Sequence, residues 1–129
     1  MSKARIIIVE DEPIVSLEIQ DTLERLGYEV PAVLDSGDAV LDNVIKHKPD
    51  IILMDIRLKS FIDGIDAARR LRMVSEVPII YLSAYTGEET RNRVEKTRPA
   101  AFLSKPLDEK LLHEQIERIL KSRPSPIAP

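Results

Sequence analysis

The stretch Ile6-Ile7-Ile8-Val9-Glu10-Asp11-Glu12-Pro13 decides the fold. Four β-branched residues in a row, with no polar alternation, describe a short strand buried on both faces. Three acids follow at once. Pro13 then suits a first helical turn, where its missing N–H has no intrahelical partner to lose. Val15, Ile19, Leu23 and Leu26 mark one face of that helix, and Gly27 closes it. A strand that turns through acids straight into a helix opens a βα unit.

The same unit recurs along the chain. Ile51-Ile52-Leu53-Met54 and Val77-Pro78-Ile79-Ile80-Tyr81-Leu82 read as further buried strands, with Pro78 at the entry of its run, where a lost donor is tolerable. Tyr28–Leu34 and Ala100–Leu103 are weaker runs, and Pro31 makes the former an edge strand. A second helix starts after Ser36 and buries Val40, Leu41, Val44 and Ile45. A third carries Ile65, Ala68, Leu71 and Val74. Thr86-Gly87-Glu88-Glu89 has the spacing of a capping box and opens a polar fourth helix, apolar only at Val94. Leu112, Ile116, Ile119 and Leu120 mark the fifth. Five strands alternating with five helices imply a parallel sheet covered on both faces.

Bulk properties narrow the class. The 129 residues suit one domain, at 43% hydrophobic and 32% charged. We read 1–121 as that domain and the Pro-rich 122–129 as a tail or the start of a linker. A net charge of −3 and a pI near 5.5 provide no footprint for nucleic acid. The absence of cysteine excludes disulfides and thiolate metal sites, and two separated histidines, His47 and His113, do not make a zinc site. Apolar runs such as Ile6–Val9 are far shorter than the roughly 20 residues of a membrane span. With no signal peptide pattern at the N-terminus, a cytoplasmic location and no membrane partner are expected.

In doubly wound sheets ligands bind where strands end. Glu10, Asp11 and Glu12 follow the first strand, Asp55 the third, Ser83 the fourth and Lys105 the fifth. If the first and third strands are neighbours, Glu10, Asp11 and Asp55 converge and repel one another. A divalent cation and an ammonium relieve that repulsion. Mg²⁺ favours hard oxygen ligands, commonly one or two carboxylates plus phosphate oxygens. A carboxylate nucleophile, a metal, a lysine and a hydroxyl are what phosphoryl transfer requires.

Five motifs in order, each after its strand, carry a family resemblance. They are Ile-Val-Glu-Asp-Glu-Pro at 8–13, Leu-Met-Asp-Ile-Arg-Leu at 53–58, Asp-Gly at 63–64, Pro-Ile-Ile-Tyr-Leu-Ser-Ala at 78–84 and Leu-Ser-Lys-Pro-Leu at 103–107. The chain resembles the response-regulator receiver family of two-component signalling over residues 4–121. That resemblance implies a flavodoxin-like three-layer sandwich with strand order 2-1-3-4-5 and the first and fifth helices on one face. It implies Asp55 as phosphoacceptor, and Mg²⁺ held by Glu10, Asp11, Asp55 and the Arg57 backbone carbonyl. It implies phosphoryl contacts from Ser83, the Ala84 N–H and Lys105, a cis Lys105–Pro106 peptide, and a switch linking Ser83 to Phe102. The surface switched is that of the fourth helix, fifth strand and fifth helix. The implied donor is a histidine kinase or phosphotransfer domain. The output partner stays open, and a homodimer is admitted.

The loop after Asp55 departs from the common family pattern. Lys59-Ser60-Phe61-Ile62 before Asp63-Gly64 adds one residue, and Phe61 and Ile62 are candidates for partner contact. Arg57 and Tyr85 flank the expected path of attacking water and are candidates for tuning the phosphoryl lifetime. Rival readings fit less well. A haloacid-dehalogenase-like phosphatase needs Asp-x-Asp after the first strand. A flavin phosphate would be repelled by Glu10-Asp11-Glu12, and no Gly-x-Gly-x-x-Gly supports a dinucleotide. The alternative kept is a receiver-like module that signals by protein binding without phosphorylation.

Overall fold

The computed structural model describes residues 3–84 and 87–122. β1 (Ile6–Val9), β2 (Val33–Leu34), β3 (Ile51–Asp55), β4 (Ile79–Ser83) and β5 (Ala101–Ser104) form one parallel sheet in the order β2-β1-β3-β4-β5. The helices are α1 (Pro13–Arg25), α2 (Val40–His47), α3 (Gly64–Leu71), α4 (Glu88–Glu95) and α5 (Glu109–Ser122), with a single 3-10 turn at Gly37–Ala39 leading into α2. The expected order and layering are both found. None of the described helices is long and apolar enough to cross a membrane.

Strand alternation sorts the core into two layers. Ile6, Ile8, Ile51, Leu53, Ile80, Leu82 and Leu103 face α1 and α5, where Ile19, Leu23, Leu112, Ile116 and Ile119 meet them. Ile7, Val9, Ile52, Met54, Ile79 and Tyr81 face the other way, onto Val40, Val44, Ile65, Ala68, Leu71 and Val94 of α2, α3 and α4. Each of these strand isoleucines is fully buried, which is worth about 1.5–3 kcal/mol per side chain. This two-sided burial is why the runs show no polar alternation.

Several local expectations are corrected. The strand expected over 28–34 pairs only at Glu29 and at Val33–Leu34, because Pro31 lacks a donor between them. Ile45 is 60% exposed and Val74 67%, at the outer edges of α2 and α3 rather than in the core. Val74 follows the end of α3, where the helical period no longer applies. α4 follows Gly87 as its N-cap, and Thr86, on which the expected capping box rests, lies outside the described residues.

The foot of α4 is fixed by a polar network that no sequence pattern announces. Arg72, the C-cap residue of α3, donates to the carbonyls of Thr97, Val77, Ser75 and Arg98. Thr97 is buried, and its hydroxyl lies 2.6 Å from the Tyr81 hydroxyl and donates to the Val94 carbonyl. Burial pushes the Tyr81 phenol up to about 12, so it stays neutral. Arg98, in the left-handed region at φ 54°, pairs with Glu76 at 2.6 Å.

Candidate functional site

The alternation that buries the isoleucines also builds the site. Carried one residue past the core, Ile6-Ile8 leads to Glu10, Ile51-Leu53 to Asp55, and Leu103 to Lys105. All three charged side chains therefore leave the sheet on the same face at its carboxyl rim, Glu10 and Asp55 from the adjacent β1 and β3 and Lys105 from β5, on the far side of β4. The Lys105 amide continues the ladder by donating to the Ser83 carbonyl at 2.9 Å. The Lys105–Pro106 peptide is cis, as the resemblance implies.

Lys105 Nζ sits 3.0 Å from Glu10 Oε1 and 3.1 Å from Asp55 Oδ2. Glu10 and Asp55 are buried, 3% and 7% exposed, so these ion pairs are shielded from water. Asp55 Oδ1 accepts the Arg57 amide at 3.2 Å, and Glu10 Oε2 accepts that of Glu12 at 3.1 Å. Asp11, on the rim, accepts the Lys59 amide at 2.7 Å. One oxygen from each of Glu10, Asp11 and Asp55 can be chosen so that all lie within 4.8 Å of one another. Three carboxylates against one ammonium leave two negative charges, the amount that one divalent cation neutralises. The donor set is all oxygen, and it fits Mg²⁺ rather than a softer metal.

Burial, then the nearby Glu10 charge, pushes the Asp55 carboxyl up to about 6 against the pull of Lys105 and the Arg57 amide. Burial pulls the Lys105 ammonium down, but its bonds to Glu10 and Asp55 outweigh that and hold it above its ordinary value. A carboxyl raised from 3.8 to about 6 on folding makes the native state bind more protons than the unfolded state. The stability contribution is present below 3.8 and is lost as pH rises through about 6. In EDTA, therefore, urea denaturation across this window should show wild-type losing stability relative to Asp55→Asn. Parallel curves for the two proteins would show that Asp55 is not raised.

The remaining candidates fall into place unevenly. Ser83 is buried at the end of β4, where its preceding residue, Leu82, pairs with Asp55 in register. Ala84 follows it on the exposed rim, and Arg57 is exposed beside the acids. Phe102 is half-buried opposite Tyr81 in the β4–β5 register, with the Arg91 guanidinium 4.8 Å above its ring. Tyr85 lies outside the described residues. Phe61 is exposed as expected, but Ile62 is buried in the core rather than displayed on the loop.

Two glycines matter to the site in ways that the motif reading did not assign. Gly64 opens α3 behind the Asp63 N-cap, whose carboxylate accepts the Asp66 amide at 2.8 Å. A Cβ on Gly64 would overlap the Asp55 carbonyl oxygen, so the first turn of α3 lies directly against the backbone of Asp55. At Gly37 a Cβ would overlap the Ile62 carbonyl, which holds the 59–62 loop close to α2. An Asp-Gly pair at a helix start was the available signal for the first. Nothing local marks the second.

Comparison with known proteins agrees with this arrangement. The family model of the response regulator receiver domain matches residues 6–117. The transcriptional regulatory protein PdtaR of Mycobacterium tuberculosis is 30% identical over 102 residues, 79% of this chain and 49% of that protein. The chain spans about half or less of the length of the curated relatives it matches. The signal receiver domain of a modulated diguanylate cyclase from Desulfovibrio desulfuricans G20 superposes with a TM-score of 0.87 at 32% identity, covering 93% of this chain and 95% of that one. The chemotaxis protein CheY4 of Vibrio cholerae, 24% identical with a TM-score of 0.83 and coverage of 92% and 99%, shares the fold. A match running from β1 into α5, over a sheet of this order with these acids at its rim, places the chain in the response regulator receiver domain family.

Proposed function

We propose that the chain is a phosphorylation switch in which Asp55 accepts a phosphoryl group from a histidine kinase or phosphotransfer domain. The observation that carries this is the Lys105 ammonium bridging two buried carboxylates, Glu10 and Asp55, with Asp11 at the rim. A structural ion pair needs one acid. Three acids around one lysine make a site that lacks positive charge.

Glu10, Asp11, Asp55 and the Arg57 carbonyl would hold Mg²⁺. When bound, the ion supplies charge neutralisation for the acids and for the phosphoryl oxygens. Asp55 acts as the nucleophile: a carboxylate oxygen forms the O–P bond as the P–N bond to the donor imidazole breaks, and the electron pair leaves with that nitrogen. Lys105 then exchanges its contact with Asp55 for one with a phosphoryl oxygen. The Ser83 hydroxyl and the Ala84 N–H, at the end of β4, suit the other oxygens. Movement of Ser83 would be felt at Phe102 through the β4–β5 pairing and would alter the surface of α4, β5 and α5. In this scheme the chain transfers a phosphoryl group only to and from itself and is not an enzyme toward other substrates. Arg57 and Tyr85 are proposed to tune the phosphoryl lifetime, which the dephosphorylation rate of a doubly substituted variant measures. Ile14 and Leu17, 75% and 66% exposed on α1, suit an apolar phosphodonor surface.

The test is covalent labelling by an acyl phosphate, read by intact mass. A gain of one phosphoryl group in Mg²⁺ and none after chelation is expected. Equal labelling in both conditions would sink the metal-dependent scheme. No labelling in Mg²⁺, by either an acyl phosphate or a phosphorylated histidine kinase, would favour a module that signals by binding alone.

A further inference from the structure

Phe61 is 96% exposed, while the chain's other phenylalanine is half covered. The loop beneath it is held from several sides. The Lys59 amide donates to Asp11, the Gly37 amide donates to the Ser60 hydroxyl at 3.0 Å, and that hydroxyl donates to the Ile62 carbonyl at 2.6 Å. Ile62 is anchored in the core. Phe61 is thus displayed on a fixed base, so little ordering remains to oppose its burial by a partner. Across a cleft from it stands Met73, 84% exposed, with Ile62 as the floor.

The rim of this cleft has its own charge. Arg69 reaches Asp66 only at 3.8 Å, Arg93 is shared between Asp63 and Asp66 at 3.4 and 3.5 Å, and Arg70 makes no ion pair among the described residues. Of the residues lining the cleft, Arg69 and Arg70 face only Asp66, whose charge Arg93 also shares, in a chain whose net charge is −3. Two exposed apolar side chains flanked by surplus arginine charge complement an acidic segment that offers one apolar face.

We propose that the cleft between Phe61 and Met73 docks an acidic amphipathic helix of a partner protein, with Phe61 as the anchor and Arg69 and Arg70 selecting for carboxylates. The site is separate from Asp55 and needs no phosphorylation. It is joined to the rim through the Lys59–Asp11 hydrogen bond, so an occupant stands where it can sense that rim.

The experiment is an amide-shift titration of the unphosphorylated protein in EDTA. The probe is a synthetic helical peptide with a leucine face flanked by glutamates, compared with the same peptide bearing lysines instead. Saturable shifts at 61, 62, 69, 70 and 73 are expected with the glutamate peptide, and affinity about tenfold weaker for the lysine peptide and for Phe61→Ala. Arg69→Glu combined with Arg70→Glu should reverse the preference. Equal affinity for both peptides, shifts elsewhere, no saturable shifts, or indifference to Phe61→Ala would each overturn the proposal. Concentration-dependent shifts without peptide that vanish in Phe61→Ala would overturn it too, in favour of a second copy of the chain. Because no phosphodonor is present, failure here leaves the reading of Asp55 untouched.

Discussion

Asp55→Asn is expected to reduce acyl-phosphate labelling in Mg²⁺ to below detection, with no phosphoryl increment in the intact mass. The amide keeps the size and the oxygen that Lys105 contacts, but its nitrogen is no nucleophile and its charge is gone. Two effects are combined in this variant, since it loses both the attacking oxygen and one cation ligand. Titration with Mn²⁺, followed by paramagnetic relaxation, separates them: Glu10 and Asp11 should still bind, more weakly, while labelling stays at zero even at saturating metal. The native fold should survive and gain stability at neutral pH in EDTA, because a buried carboxylate beside Glu10 has been removed. Persistent labelling of this variant would falsify Asp55 as the acceptor and shift attention to Asp11 or Glu10.

The second large effect concerns a residue without chemistry of its own. Gly64→Ala should cost about 1–3 kcal/mol, the range for forcing an atom into packed structure. The added Cβ meets backbone, the Asp55 carbonyl oxygen and the Ile56 Cα, and neither can swing aside like a side chain. Something must shift, and what shifts is either the start of α3 or the end of β3. A fall in melting temperature on the order of 5–10 °C follows for a domain of this size. If β3 yields, Asp55 leaves Lys105, and labelling slows by more than the lost stability explains. Gly27→Ala is the control. Its φ of 97° also disfavours a side chain, but nothing lies within 4 Å of the new atom, so stability should fall while labelling per folded molecule does not. A Gly64→Ala protein as stable and as readily labelled as wild-type would mean that α3 does not brace the acceptor.

How much could be read from the chain follows from what kind of contact is involved. The strands β1, β3 and β4 were legible because two-sided burial demands unbroken apolar runs, and Ile6–Val9 or Ile51–Met54 have no other place, whereas β5, only partly buried, gave a weaker run. The convergence of Glu10, Asp11, Asp55 and Lys105 was legible because strand ends gather at one rim once the order is known. Helix faces were less so: Ile45 and Val74 continue an apolar pattern past the point where α2 and α3 touch the sheet. Ile62 was misplaced for the opposite reason, since a loop residue is buried only through contacts with distant parts of the chain. The Arg72 network and the Gly37–Ser60 bond join segments with no pattern in common. No periodicity encodes such pairs.

That network gives α4 the mechanics of a lever with one clamped end. Its last turn is clamped through Thr97 and Val94, while its first turn begins at Gly87. At 1.5 Å per residue, eight residues make an arm of about 12 Å, so a tilt of roughly 10° about the clamped end sweeps the other by about 2 Å. The tip of that arm lies on the Ser83 side of the molecule and the fulcrum at the far end. A small displacement at the rim would then become larger sideways travel along the outer surface, with Arg91 partway along the arm and Arg93 beside the clamped end.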